Sequence, residues 1–478
     1  MEMHLNEASI APLSAARFDQ LLSTTAYEEF EHALRRSVEA LRGRTVWHIN
    51  TTLKGGGVAE MLGALLPYVR GAGIACRWVV LTGGDDFLTV TKRIHNRLHG
   101  FEGDEYDLGE PEARLYADTL AANASALLPL IRPGDLVFVH DPQTAGLIPA
   151  LKRQGAIAIW HCHIGTEAPN DTVRRAWDFL TDHVSPADRY IFSRRDYLWD
   201  GLDADRHRVI RPSIDAFAIK NEHLDSGTTE AILAAAGVVD AEPGRAPTFV
   251  RRDGTTATVT RKVAIVSGGA RVPNGVPIVM QASRWDRLKD PIGVMKLFSE
   301  HLSATHPDTH LLLIGPSMDG VADDPEGSQV LEECVAVHAS LPPAIRERTH
   351  LMCPPTEDTD EADAIVNAVQ RRADVVIQKS LAEGFGLVVS EAMWKQRPVV
   401  AARVGGIQDQ IEHNRSGILI DDPSDGAGFA RAVGQFLDDA ERARTVGAQA
   451  RARVLDTYLT PRQLRDTMDL IGEVLQNQ

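Results

Sequence analysis

The feature that most constrains this chain is a repeated alternation, from Thr45 onward, of short apolar runs bounded by turn residues with longer helical patterns. Such alternation is the signature of a parallel sheet with crossover helices, so the fold class is α/β. In the first half the candidate strands are 45–50, 74–81, 135–141, 156–164 and 189–193. In the second half they are 277–283, 310–316, 350–355, 374–380, 398–404 and 417–422. Each set suffices for one doubly wound domain, and 478 residues exceed what one ordinary core organises. Ligand groups in such sheets gather at the carboxyl ends of the strands.

The break between the sets follows VIRPSID (209–215), where small and polar residues run to about Pro277. This reads as a linker plus insertion, and the alternation around Asp253-Gly254 predicts a surface β-hairpin. The expected domains are 1–215, completed by a C-terminal helix within 456–478, and 216–455 carrying the 221–277 insertion. Thr460 and Pro461 supply the cap and first turn of that last helix.

The formal net charge of −16 and the lack of a basic, aromatic-interleaved stripe argue against nucleic acid as a partner. Four scattered cysteines without metal or CxxC spacing read as reduced thiols. No signal-like N-terminus and no apolar run of about 20 residues is present, so a cytoplasmic location without membrane spanning is expected.

Four stretches carry chemistry. NTTLKGGGVAEML follows a strand and opens a helix near Val58, so Gly56 and Gly57 let backbone approach an anion or a sugar, or form a tight turn alone. It lacks the Gly-Lys-Ser/Thr of a Walker loop. In QASRWDRLKDP, Arg284 and Lys289 enter the loop after a buried strand. A planar forked donor and a mobile point charge suit a diphosphate, whereas the bland alternative pairs them with Asp286 and Asp290. KSLAEGFGLVVSEAMWKQ is the strongest signal. Gly384, Phe385, Gly386 and Leu387 can present amides at a helix start, with Glu383 in the loop and Glu391 one turn inside an apolar helix. A solvated face explains that apolar setting poorly. Finally, His161 and His163 lie two apart at a strand end with no third metal ligand nearby in sequence, so hydrogen bonding or core packing competes with metal binding.

Taken in order, HINTTLKGGGVAEML, VTKRIHNRLHG, HCHI with APN, RPSIDAF, QASRWDRLKDP, DDPEG and AEGFGLVVSEAMWK with VGGIQDQI resemble the retaining GT-B glycosyltransferases of family four, specifically the trehalose glycosyltransferring synthase branch. The resemblance spans about Val46 to Gln476. It implies two facing Rossmann-like domains, the second holding the donor nucleotide and the first the acceptor, with the last helix crossing back to the first. It implies that Arg284 and Lys289 neutralise the leaving diphosphate and that Glu391 binds ribose hydroxyls. Glu383 and the amides of Gly384, Phe385, Gly386 and Leu387 would hold the transferred sugar, with His163 bonding it from the other domain and Gly56 and Gly57 closing over it. The implied reaction moves glucose from ADP- or UDP-glucose to glucose. No metal ligand set and no tightly bound cofactor are expected, Mg2+ stimulation is compatible with a diphosphate donor, and a homodimer is compatible with the branch. Trehalose phosphorylases resemble the same motifs and replace the nucleotide by phosphate, and a non-catalytic sugar-nucleotide binder is a third reading. Two positions depart from the branch: His161 stands where many members have Arg, and Lys54 where a small or apolar residue is common.

Overall fold

The computed structural model describes residues 6–53, 56–242, 244–268, 270–317 and 325–476. Lys54, Gly55 and the Asp323-Asp324 part of DDPEG lie outside the described residues. Two units divide the chain, Met1–Ser213 with Tyr458–Gln478, and Ile214–Thr457.

The first unit is built on seven strands: β1 (Asn6–Glu7), β2 (Val46–Asn50), β3 (Cys76–Val80), β4 (Leu136–His140), β5 (Ile157–Cys162), β6 (Arg189–Phe192) and β7 (His207–Val209). Their order is β1-β3-β2-β4-β5-β6-β7, and only β1 runs antiparallel to its neighbour. Strands β2, β4 and β5 are buried along their whole length, which is why each reads as a continuous apolar run. The final helix Thr460–Gln476 belongs to this unit and packs on helix Thr24–Ala40, with Arg36–Asp469 (3.0 Å) and Arg465–Glu29 (3.4 Å) pairs at its margin.

In the second unit the small strands β8 (Val239–Asp240), β9 (Thr248–Val250), β10 (Thr256–Thr258), β11 (Ala264–Ile265) and β12 (Val272–Pro273) precede β13 (Ile278–Ala282). There follow β14 (His310–Ile314), β15 (Thr349–Cys353), β16 (Val375–Gln378), β17 (Val399–Ala402) and β18 (Ile418–Ile420). The main sheet runs β11-β15-β14-β13-β16-β17-β18, parallel apart from β11. All eleven expected strands are present. Of the strands not foreseen, β1, β7 and β11 join the edge of a main sheet and β8 and β12 pair with each other; all are two or three residues long.

The 221–277 segment departs from the linker reading. Its helix Ser226–Ala235 lies on helix Thr359–Arg372 with Ala231–Ala236 buried, and β11 extends the main sheet. Small side chains read as linker composition here permit close helix packing. The hairpin does form, β9 pairing antiparallel with β10 and Gly254 adopting φ +85° at the turn. Arg251 clamps it by two bonds, 2.9 and 2.6 Å, to Asp358, the residue that caps helix Thr359–Arg372.

Candidate functional site

Both sheets have a point at which the strand order reverses direction: between β2 and β4 in the first unit, and between β13 and β16 in the second. At such a point the connections leave to opposite sides and open a crevice beyond the strand ends. The sequence-predicted groups follow strands at these two points, except His163, which follows the neighbouring β5; each is described within its own unit.

In the second unit β13 ends at Ala282 and β16 at Gln378. Gln281, 1 % exposed, joins the loops that follow: its amide donates to the Lys289 carbonyl (2.9 Å) and its side-chain oxygen accepts the Lys379 N–H (3.0 Å). A backbone bond from Leu381 to Leu288 (2.8 Å) adds to the join. Lys289 is thereby brought to Glu383, with Nζ 2.6 Å from Oε2 and only 15 % and 12 % of the two side chains exposed. Ser380 donates to the same oxygen at 3.3 Å. Asp290, at φ +48°, caps helix Pro291–Leu297 through the Gly293 N–H (2.9 Å) and pairs with buried Lys379.

Arg284 is about one-third exposed and lies 3.3 Å from Asp286. Trp285 beside it is core: it is 2 % exposed and donates to the Pro316 carbonyl (2.9 Å). Gly386 stands at φ +84° as the N-cap of helix Leu387–Trp394, and a Cβ there would come 3.1 Å from Glu383 Cγ. A glycine is therefore required for Glu383 to lie beside the helix start. The turn is anchored by Gln410, a residue of VGGIQDQI to which the sequence reading gave no role. Fully buried, it donates to the Phe385 carbonyl (2.6 Å) and accepts the Ser390 hydroxyl (2.6 Å). Glu391 is 2 % exposed and receives a bond from the Gln370 amide at 3.3 Å. Lys395, also buried, bonds the other end of that amide at 2.6 Å.

In the first unit Gly56 caps helix Gly57–Gly71 without a side chain, leaving the first-turn amides unbonded by the cap. Neither Gly56 nor Gly57 has positive φ, and a Cβ would find space at both. The fold itself does not demand glycine at either position.

His163 follows β5 and meets a residue that sequence spacing concealed. His140 ends β4 directly opposite His161 in the strand register. His48 Nδ1 lies 3.1 Å from His140 Nε2, and His140 Nδ1 lies 3.2 Å from His163 Nε2; the His161 and His163 rings are 3.9 Å apart. Strand pairing thus brings a third imidazole, His140, beside His161 although the two are 21 residues apart in the sequence. Burial drives all four imidazoles to low pKa, about 3 for His48 and His163, so they are neutral. Asp141, in the left-handed region at φ +60°, accepts the His163 N–H at 2.7 Å, and burial raises its carboxyl to about 7.

Comparison with known proteins places these features in a family. The family described as Trehalose synthase, N-terminal domain, matches residues 48–199, and Glycosyl transferases group 1 matches 358–453. A trehalose synthase of Rubrobacter xylanophilus is 35 % identical over 467 residues, covering 96 % of this chain and 97 % of that protein. A trehalose synthase of Pyrococcus horikoshii is 32 % identical, with 94 % of each chain covered. Among solved structures, an α,α-trehalose-phosphate synthase (UDP-forming) of Burkholderia vietnamiensis superposes with a TM-score of 0.65 at 16 % identity, covering 91 % of this chain and 98 % of that one. Among the described residues no helix is long and apolar enough to cross a membrane.

Proposed function

This chain belongs to the trehalose synthase family of glycosyltransferases, and from that premise we propose that it retains anomeric configuration while moving glucose from ADP- or UDP-glucose to glucose, forming trehalose. The observation that carries the proposal is the Lys289–Glu383 pair at a sheet switch point, beside a glycine-opened helix start. A cation, a carboxylate and a helix N-terminus beyond the same strand ends match a donor with one diphosphate and one sugar.

In this reading the C1–O bond to the diphosphate breaks and the acceptor oxygen bonds C1 on the same face. The acceptor proton passes to the departing phosphate oxygen, so no protein nucleophile is needed. Arg284 and Lys289 stabilise the negative charge that develops on the leaving group, where a preorganised charge acts most strongly. Glu383 and the amides of Gly384, Phe385, Gly386 and Leu387 hold the glucosyl hydroxyls, and Glu391, set in place by Gln370, takes the ribose. Within the first unit, His163, Gly56 and Gly57 are assigned to substrate contacts. No tightly held cofactor is part of the scheme, and the chain acts in the cytoplasm.

The test is a panel of ADP-, UDP- and GDP-glucose and glucose 1-phosphate against free sugars, with disaccharide detection. Trehalose and free nucleoside diphosphate are expected; product from glucose 1-phosphate alone would make the enzyme a phosphorylase. Glu391→Ala should chiefly weaken nucleotide binding and Arg284→Ala chiefly slow turnover, and equal, small effects from both would overturn the site assignment.

A further inference from the structure

We propose that His140, His161 and His163 together form a binding site for a transition-metal ion of the zinc class. One ring nitrogen of each lies within 4.8 Å of the other two. Tetrahedral Zn2+ with Zn–N bonds of about 2.0–2.1 Å sets its ligand nitrogens roughly 3.4 Å apart. The His140 and His163 nitrogens stand 3.2 Å apart, and a His161 nitrogen lies within 4.8 Å of both. A set of imidazoles alone suits Zn2+, Co2+, Ni2+ or Cu2+, whereas Mg2+ and Ca2+ demand oxygen.

Two further observations point to a ligand. His161 Nε2 is buried and has no hydrogen-bond partner, a state that is costly unless something fills it. The second is an outer partner already in place. With His140 protonated on Nε2 and donating to His48 Nδ1 at 3.1 Å, its Nδ1 lone pair is free for the metal. His163 protonated on Nδ1 likewise presents Nε2, so the ion is received by neutral rings without net proton release. Ligating histidines are commonly fixed in this way by a bond from the second nitrogen. Helping to hold the His163 backbone, the Asp141 carboxylate accepts its N–H.

The function reading assigns His163 to the transferred sugar, and on that reading metal occupancy and sugar binding exclude each other, making the site inhibitory. Binding is measured without substrate, so the metal site and the sugar role are tested separately. Chelator-stripped full-length protein is titrated with Zn2+ by calorimetry and with Co2+ by visible absorption. One equivalent per chain with the absorption of tetrahedral Co2+ is expected. It should be lost in His161→Asn, kept in the exposed-site control His301→Asn, and weakened about 10–100-fold in His48→Phe, the usual cost of removing an outer partner. No binding to wild type, or the same equivalent in His161→Asn, overturns the site. If His161→Asn does not fold, X-ray absorption of Co2+-loaded wild type decides, three imidazoles upholding the site and fewer refuting it. Loss of trehalose formation on Zn2+ addition supports the inhibitory role; metal binding with unchanged transfer leaves the site standing and removes His163 from the sugar contacts.

Discussion

Replacing Lys289 by Met leaves Glu383 facing a crevice wall without its 2.6 Å ammonium partner. Breaking one member of a fully buried pair costs about 3–5 kcal/mol. Here 12–15 % of each side chain is exposed and Ser380 still donates to the carboxylate, which places the loss below that range, at about 2–3 kcal/mol. Glu383→Gln should cost about 2 kcal/mol by stranding the lysine. The double variant removes both charges and should cost little more than either single change, for a coupling energy of about 2 kcal/mol. Because the chain has two units, a single unfolding free energy is ill-defined. The cycle is therefore read from denaturant-dependent hydrogen exchange of the β13 and β16 amides, which report the second unit. A coupling below about 0.5 kcal/mol would refute the claim that this contact organises the crevice before donor arrives.

Gln410→Leu removes the buried hydrogen bonds to the Phe385 carbonyl and from the Ser390 hydroxyl, at about 1–3 kcal/mol each. It should destabilise the second unit by about 3 kcal/mol and raise donor KM about 10-fold, corresponding to ~1.4 kcal/mol of lost preorganisation, with kcat less affected; steady-state kinetics and exchange of the 387–394 amides check this. At the hairpin clamp, hydrogen bonds from Arg251 lead in holding the Asp358 carboxyl down at about 2, against about 3.9 for an unfolded aspartate. A depressed folded value means that stability from this group is complete above pH ~5 and is lost as pH falls from about 4 to about 2. Urea midpoints of Asp358→Asn should fall less steeply than wild type between pH 5 and 3, and parallel curves would refute the assignment.

The proposed donor-side groups could be picked out of the sequence because they are close in the chain: EGFG, Glu383 and Glu391 share one loop and helix, and Arg284 and Lys289 share another. Strand positions were legible because fully buried parallel strands leave continuous apolar runs. Contacts that join distant segments were not. Gln410 is an ordinary residue in VGGIQDQI until the chain folds it beneath Phe385, and the alanine-rich helix Ser226–Ala235 resembles a linker until helix Thr359–Arg372 covers it. His140 and His161 are neighbours only through the β4–β5 register. Periodicity by itself thus determined the α/β class and two sets of strands, whereas the glycosyltransferase family came from the resemblance of whole motifs and is shown by the relatives. Tertiary structure alone decided which carboxylate meets which cation and how many imidazoles converge, because a sheet aligns residues by hydrogen-bond register, to which separation along the chain is irrelevant.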